Sequence, residues 1–287
     1  MLHLTNGDCA IPALRAAGVD EEILPWREVL HDGPVPGRLD AGELRAVRGR
    51  FLGDERPLRE QDERLDAAVA EGEELMLWFE ADLFDLLLLL QIVERLPLDA
   101  RARLVLVGQE RWRSVTEVEP DELASLGEEA PELSAEQREL AWTAWEAFRS
   151  GTPASLEPFA AGTPALPAVG QALHRLLEEL PWSDTGLSRT ERQLLGALAD
   201  RSQTREAAFQ AAIAAEERPF LGDGSAWATL DRLAPLLDGQ AVNARGRAVL
   251  AGAEEWEPRD QRWIGGTRLP PGRSPWHWDP EASRVTW

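Results

Sequence analysis

The sequence predicts an α/β protein with three parts: a doubly wound, mostly parallel, Rossmann-like sheet at the front, a helical connector, and a winged-helix-like C-terminal unit. Three observations carry this reading. Short apolar runs near residues 1–5, 23–24, 74–79 and 103–108 alternate with helical patterns. The run Leu75-Met76-Leu77-Trp78-Phe79 is apolar on both faces, as a covered parallel strand must be. From Pro181 onward the strand signals give way to three short helical patterns and an Asp238-Gly239 turn.

Taken in order, Met1 to Thr5 reads as a buried strand, and Asn6-Gly7 as a turn. Asp8 then stands as the N-cap of a helix over about residues 9–17, closed by Gly18. Ile23-Leu24 forms a second short strand stopped by Pro25. The loop 26–37 is rich in Pro and Gly, yet it carries Trp26, His31 and Asp32. A bulky Trp in such a loop points to packing or binding. Asp40-Ala41-Gly42-Glu43 is a capping box opening a helix to about Leu52, and residues 54–71 are charged and mostly helical. The third strand ends on Glu80 and Asp82. Leu83 to Leu96 is a strongly apolar helix, capped by Asp82 and ended by Pro97. The fourth strand closes at Gly108. Residues 109–133 are acidic and poorly periodic, with an edge strand expected at 115–118. Residues 1–130 thus form the Rossmann-like domain.

Residues 131–180 read as a helical connector able to pack against the sheet. Ser134 to Gln137 is a second capping box, 150–163 a Gly/Pro/Ala-rich linker, and Thr163-Pro164 the start of a helix to about Leu180. Residues 181–255 form the winged-helix-like unit. Ser188 to Glu191 caps a helix to Ala199, a second helix follows from Thr204, and Asp223 or Ser225 caps a third. A hairpin and the segment around Asn243 to Leu250 complete it. The tail, 256–287, carries five of the 12 Trp and no helical period. It is expected to be extended or a hairpin packed on the body.

Composition removes several chemistries. All 30 basic residues are Arg, and there is no Lys or Tyr, so Schiff-base chemistry, a P-loop Lys and a catalytic Tyr are excluded. The single Cys9 excludes an intrachain disulfide and a Cys-cluster zinc site. The N-terminal residues lack a basic stretch followed by an apolar one, and the longest apolar run is far too short to span a bilayer, so a cytoplasmic protein without membrane contact is expected. The net charge of −21 is uneven: residues 1–130 carry 14 Arg against 29 acidic side chains, whereas residues 181–287 carry 13 against 15. The front half would repel a polyanion, which makes nucleic acid an unexpected partner there.

The carboxyl ends of the predicted strands locate a candidate site. Ligands of open α/β sheets bind outside those ends, at a switch in strand order. If the strands are neighbours, three loops bring His31, Asp8, Asp32, Glu80 and Asp82 to one edge. His3, Asn6, Gly7 and Trp26 complete the candidate ligand-binding set. Asp8 and Glu80 are the candidate catalytic carboxylates. Free N–H groups of the helix after Gly7 favour an anion, and a Mg²⁺ or ribose hydroxyls would reconcile that anion with the carboxylates. No firm metal-ligand spacing is present, and the Gly-x-Gly-x-x-Gly fingerprint is missing after the first strand. Capping alone also accounts for Asp8 and Asp82, and core hydrogen bonding for His3.

Several stretches together resemble a known family. His3-Leu4-Thr5-Asn6-Gly7-Asp8, Leu24-Pro25-Trp26, His31-Asp32-Gly33-Pro34 and Trp78 to Asp85 are similar to motifs of the bacterial family called domain of unknown function eighteen thirty-five. Gly186 to Glu191 and the closing Trp263 to Gly266 and Trp278-Asp279 fit it as well, so the resemblance spans nearly the whole chain. It departs at Cys9, where Ser is expected, and at Ala81, where His is expected. The resemblance implies a fold and a site location but no activity. Two functional expectations follow. The first is a small-molecule or nucleotide-binding α/β protein, whose enzymatic form would be a phosphoryl- or glycosyl-type hydrolase. The second is a transcription-regulator-like winged-helix protein with the front domain as sensor, or a protein-interaction module. The third helix carries Ser225, Thr229, Asp231 and Arg232, a poor set for reading bases. The expectation for that unit is therefore a protein-contact or core-packing role, without DNA binding.

Overall fold

Four parallel strands, β1 (Leu2–Asn6), β2 (Glu22–Trp26), β3 (Leu75–Glu80) and β4 (Ala102–Val107), form the sheet in the order β2-β1-β3-β4 in the computed structural model. The structure describes every residue except 109–110 and 200–203; the start of the acidic stretch 109–133 therefore lies outside the described residues. Register places Leu4 beside Leu24 on one side and Leu77 on the other. β2 runs through Pro25 instead of stopping before it. It is an edge strand, where a missing N–H costs no ladder bond.

The helices α1 (Ile11–Ala16), α2 (Ala41–Leu52), α3 (Arg56–Ala70), α4 (Leu83–Glu94) and α5 (Pro120–Glu129) link and follow the strands. One sheet face is covered by α1 and α5: Leu14 and Leu123 pack there with Met76, Trp78 and Val105. The other face, with Leu4, Leu77 and Phe79, meets α4. Beyond α4 lie α6 (Ala135–Phe148) and α8 (Pro167–Leu177), which contribute Trp145, Phe148, Leu173 and Leu176 to the same core. This explains the five-leucine run 86–90. A helix with the sheet on one side and two helices on the other is apolar all round. The stretch 131–180 is thus a layer over α4, which separates it from the sheet. Its Gly/Pro/Ala-rich part is ordered into a 3₁₀ turn at Pro153–Leu156 and the short α7 (Glu157–Ala160), each started by a proline in its first turn.

Local chemistry differs from expectation at four points. α1 begins at Ile11, its N-cap is Ala10, and no side chain caps it; Asp8 turns outward to Arg27 instead. Residues 115–117 form a 3₁₀ turn and no edge strand, because the Ser114 hydroxyl accepts Thr116 N–H and Glu80 accepts Val115 N–H. The helix after Thr163-Pro164 starts at Pro167, although Thr163 Oγ1 still accepts the Gly170 N–H at 2.9 Å. The third C-terminal helix is preceded by Gly222 and carries no side-chain cap from Asp223 or Ser225. The capping boxes at Asp40 and Ser134 form as read, and Ser188 and Glu191 exchange their two bonds at 3.0 and 3.2 Å.

The C-terminal unit runs α9 (Arg189–Ala199), α10 (Arg205–Ala214), α11 (Asp223–Arg232), a hairpin of β5 (Leu237–Asp238) and β6 (Ala241–Val242), and α12 (Ala244–Leu250). Leu194, Leu198, Leu230, Val249 and Trp256 make its own core. The tail forms two hairpins, β7 (Arg262–Ile264) with β8 (Thr267–Leu269) and β9 (His277–Asp279) with β10 (Arg284–Thr286). Both pack on the body. Gly266 N–H donates to Phe148 O, and a Cβ at Gly266 would collide with the Arg149 carbonyl. Trp278 exchanges backbone bonds with Pro181 and Ser183 and stacks edge-on against His174. No helix among the described residues is long and apolar enough to cross a membrane.

Candidate functional site

The strand order fixes where a ligand is expected. From β1 the chain goes to β2 on one side and then crosses to β3 on the other. The switch point therefore lies between the carboxyl ends of β1 and β3. Asp85, in the first turn of α4, ties those ends together. It accepts from Asn6 Nδ2 at 2.5 Å and from the Glu80 N–H at 2.6 Å. Asp82 caps α4 by accepting the Asp85 N–H at 2.9 Å. Three carboxyl groups are thereby confined to one corner. Burial, and then the charges of Asp82 and Glu80, push Asp85 well above its usual range despite its hydrogen bonds. Burial, aided by the Glu80 charge, pushes Asp82 up to about 7. Burial also raises Glu80, against the hydrogen bonds from Val115 and Ser114.

A cleft of about 770 Å³ opens beside this corner. Ala81, Asp82 and Leu83 form one wall, the loop 160–164 and α8 a second, and Arg189 with the segment 216–218 a third. Arg218 donates to the Ala81 carbonyl at 3.1 Å and makes no ion pair among the described residues. Arg175 and Glu216 form the back of the cleft. Arg175 donates to Glu216 at 2.8–3.1 Å and to Glu179 at 2.6 Å. Burial alone would raise Glu179, but Arg175, Arg262 and the Thr190 hydroxyl outweigh it and hold it at about 2. Arg189 bridges Glu178 and Glu216. This buried network joins α8 to the C-terminal unit.

The structure distributes the predicted residues over several environments. Asn6, Glu80 and Asp82 do meet at the switch point through Asp85, and Asp82 lines the cleft, whereas the Gly7 N–H turns to the Trp26 carbonyl. The two candidate catalytic carboxylates do not share it. Asp8 is exposed and held by Arg27 at 2.6 and 3.0 Å. Glu80 spends its Oε1 on the Ser114 hydroxyl and the Val115 N–H, both at 2.8 Å. His3 lies on the α1 and α5 face, where its Nδ1 accepts from Trp78 Nε1 at 3.0 Å, and burial lowers its pKa. Trp26 is wholly buried and donates to Gln91 of α4, which resolves the oddity of a Trp at a loop. His31 and Asp32 line a second cavity, of about 360 Å³, and both touch the Ser225 hydroxyl of α11. Among the described residues no group of three or more His, Cys, Asp or Glu side chains is placed to hold a metal ion. A Mg²⁺ would have to arrive with its ligand.

Sequence reasoning missed Arg218, Arg189 and Arg175. Arg175 had a signal. It sits among Leu173, Leu176 and Leu177 on a helix with a strong apolar face, and a buried Arg there requires buried partners. Arg218, in Glu216-Glu217-Arg218-Pro219, carries no local signal; only the docking of the C-terminal unit on α8, through Arg175, Arg189 and Glu216, brings it to Ala81. No protein-family model, curated protein or solved structure matches the chain.

Proposed function

We propose that this protein binds a small anionic molecule, of the nucleotide or phosphorylated-metabolite class, in the cleft at the carboxyl edge of its sheet. The observation that carries the reading is Arg218, a guanidinium that makes no ion pair among the described residues although its charge reaches Asp82, lining a 770 Å³ cleft beside the β1/β3 switch point. Pockets for small ligands span about 300–1,000 Å³. Arg218 supplies the forked donor that phosphate recognition uses. Asp82, titrating at about 7, is suited to bond a ligand hydroxyl. In the enzymatic form, a phosphoryl- or glycosyl-type hydrolase, proton transfer falls to Asp82 rather than to Asp8 or Glu80, because a general acid or base works best near the operating pH. Membership of the family domain of unknown function eighteen thirty-five is part of the proposal. It is supported by the meeting of two of its motifs, Asn6-Gly7 and Glu80 to Asp85, at one corner.

Thermal shift with AMP, ADP, ATP, GTP and ribose 5-phosphate, each with and without Mg²⁺, tests this. A ligand at about 100 times its Kd adds ~2.7 kcal/mol of stability. The shift is expected for the native chain and is expected to vanish in Arg218→Met with the unliganded Tm preserved. No shift with any of the panel refutes the reading.

A second reading makes 181–255 a winged-helix unit serving protein contact. The order of three helices, hairpin and helix supports it. So does α11, whose Ser225 hydroxyl donates to Asp32 and whose Thr229 and Arg232 line the second cavity. The helix that would enter a major groove is turned toward the body.

A further inference from the structure

We infer that the cleft takes up a proton together with its anion, and that Asp82 carries that proton. The inference rests on the cleft as the anion site and says what an acidic side chain does there. Arg218 and Asp82 line the same cleft, so an anion drawn to the guanidinium comes up against a carboxyl group. Ionised, that group repels the ligand; protonated, it is a hydrogen-bond donor.

The geometry of the corner provides for the proton. The stretch 80–85 brings three carboxyl groups together where β3 turns into α4. Asp82 accepts the Asp85 N–H at 2.9 Å, and Asp85 accepts the Glu80 N–H at 2.6 Å. Asp82 is 8% exposed and Asp85 is wholly buried. Like charges confined to one dry corner do not all ionise at neutral pH. Glu80 has the Ser114 hydroxyl and the Val115 N–H to hold it as an anion, with Glu117 as its only further acidic neighbour. Asp85 lies behind, against Asn6, and does not line the cleft. Asp82 is the member of the three that a ligand can reach, and one of its oxygens can stay on the Asp85 N–H whether or not the group is protonated.

Arg218 is the cation whose charge acts on Asp82, and its bond to the Ala81 carbonyl at 3.1 Å anchors it one residue away. Across the cleft, Arg175 and Arg189 are spent on Glu178, Glu179 and Glu216. Glu217 stands exposed on the rim, and His174 is turned edge-on to Trp278 at 5.2 Å. Burial and the Glu80 charge hold Asp82 at about 7 although Arg218 favours its ionised form. An anion that pairs with Arg218 cancels that help and adds its own repulsion. Both effects draw a proton onto Asp82. By reciprocity, removing that proton weakens the anion.

Calorimetric titration of the full chain with AMP, ADP, ATP, GTP and ribose 5-phosphate tests this, in HEPES and in Tris at about pH 7.5, where a phosphomonoester has already lost its second proton. The dependence of the heat on the buffer counts the protons taken up. If the anion makes the Asp82 proton about tenfold harder to remove, about half a proton is taken up per anion at that pH, and affinity falls about fivefold from pH 7 to pH 9. Asp82→Asn is expected to abolish both the uptake and the fall, and His174→Gln to keep them. Binding with no proton uptake by the native chain, a readout that needs no variant to fold, would overturn this inference and leave the cleft reading standing. Uptake undiminished in a folded Asp82→Asn, or lost in His174→Gln, would overturn the assignment to Asp82. No binding by any of the five anions would overturn the cleft reading and this inference with it.

Discussion

Asp82→Asn isolates the charge at the switch-point corner from the architecture that surrounds it. Asn caps a helix as well as Asp does, so the bond from the Asp85 N–H survives the change. What disappears is a titration. Asp82 moves from the usual 3.8 to about 7 on folding, chiefly through burial. A carboxyl raised in the folded state stabilises the fold below its unfolded pKa, and that contribution is lost as pH rises through the folded value. Between pH 5 and pH 8 the native chain should lose roughly 3 kcal/mol through Asp82 and its coupled neighbours, by integrating the proton uptake difference over that window. Glu80 and Asp85 are shifted in the same sense and remain in the variant, where Asp85 no longer feels the Asp82 charge, so the difference between the two curves reports Asp82 together with its coupling to Asp85. Urea unfolding at half-unit pH steps measures it. The excess of the variant's stability over the native chain's should grow by roughly 3 kcal/mol from pH 5 to pH 8. Parallel curves would refute the claim that this carboxyl is buried beside two others.

Three further outcomes follow from the packing. Arg175→Met leaves Glu179 and Glu216 buried without their guanidinium and should cost about 3–5 kcal/mol in urea unfolding, since breaking a buried network strands its charges. Gly266→Ala drives a methyl into the Arg149 carbonyl and should loosen the tail; limited proteolysis within residues 256–287 should quicken relative to the native chain. In a mobility-shift assay at low salt the protein should leave DNA fragments free at micromolar concentration, because Arg245 is paired with Glu254, Arg247 is bonded to the Val242 carbonyl, and α11 faces the body. Salt-sensitive retardation would restore the regulator reading.

What the sequence made legible is what short-range chemistry decides. The apolar runs placed the four strands, the capping boxes at Asp40, Ser134 and Ser188 started helices where they were read, and Asp82 capped α4. Asp8 was misjudged because Arg27, nineteen residues away, offers a bidentate partner that a local pattern does not reveal. The 115–118 strand failed for a similar reason: a carboxylate from β3 holds that stretch in a turn. At the site, the switch-point corner was legible from strand ends, whereas its cationic wall was not. Arg218 and Arg189 belong to a unit whose docking depends on long-range burial of Arg175, Glu179 and Glu216. His31 and Asp32 read from the sequence as part of the sheet-edge site, but the loop carries them past that edge to α11.

The central claim is that the cleft walled by Asp82 and Arg218, not the exposed Asp8 turn, is where an anionic ligand binds. Calorimetric titration of the nucleotide or sugar phosphate giving the largest thermal shift, into the native chain, Arg218→Met and Arg27→Met, tests it most directly. Arg218→Met should weaken binding by at least about tenfold, as expected for one charge-assisted contact. Arg27→Met, which frees Asp8 at the surface, should change it less than about twofold. Undiminished affinity in Arg218→Met, or loss of binding in Arg27→Met, would contradict the account.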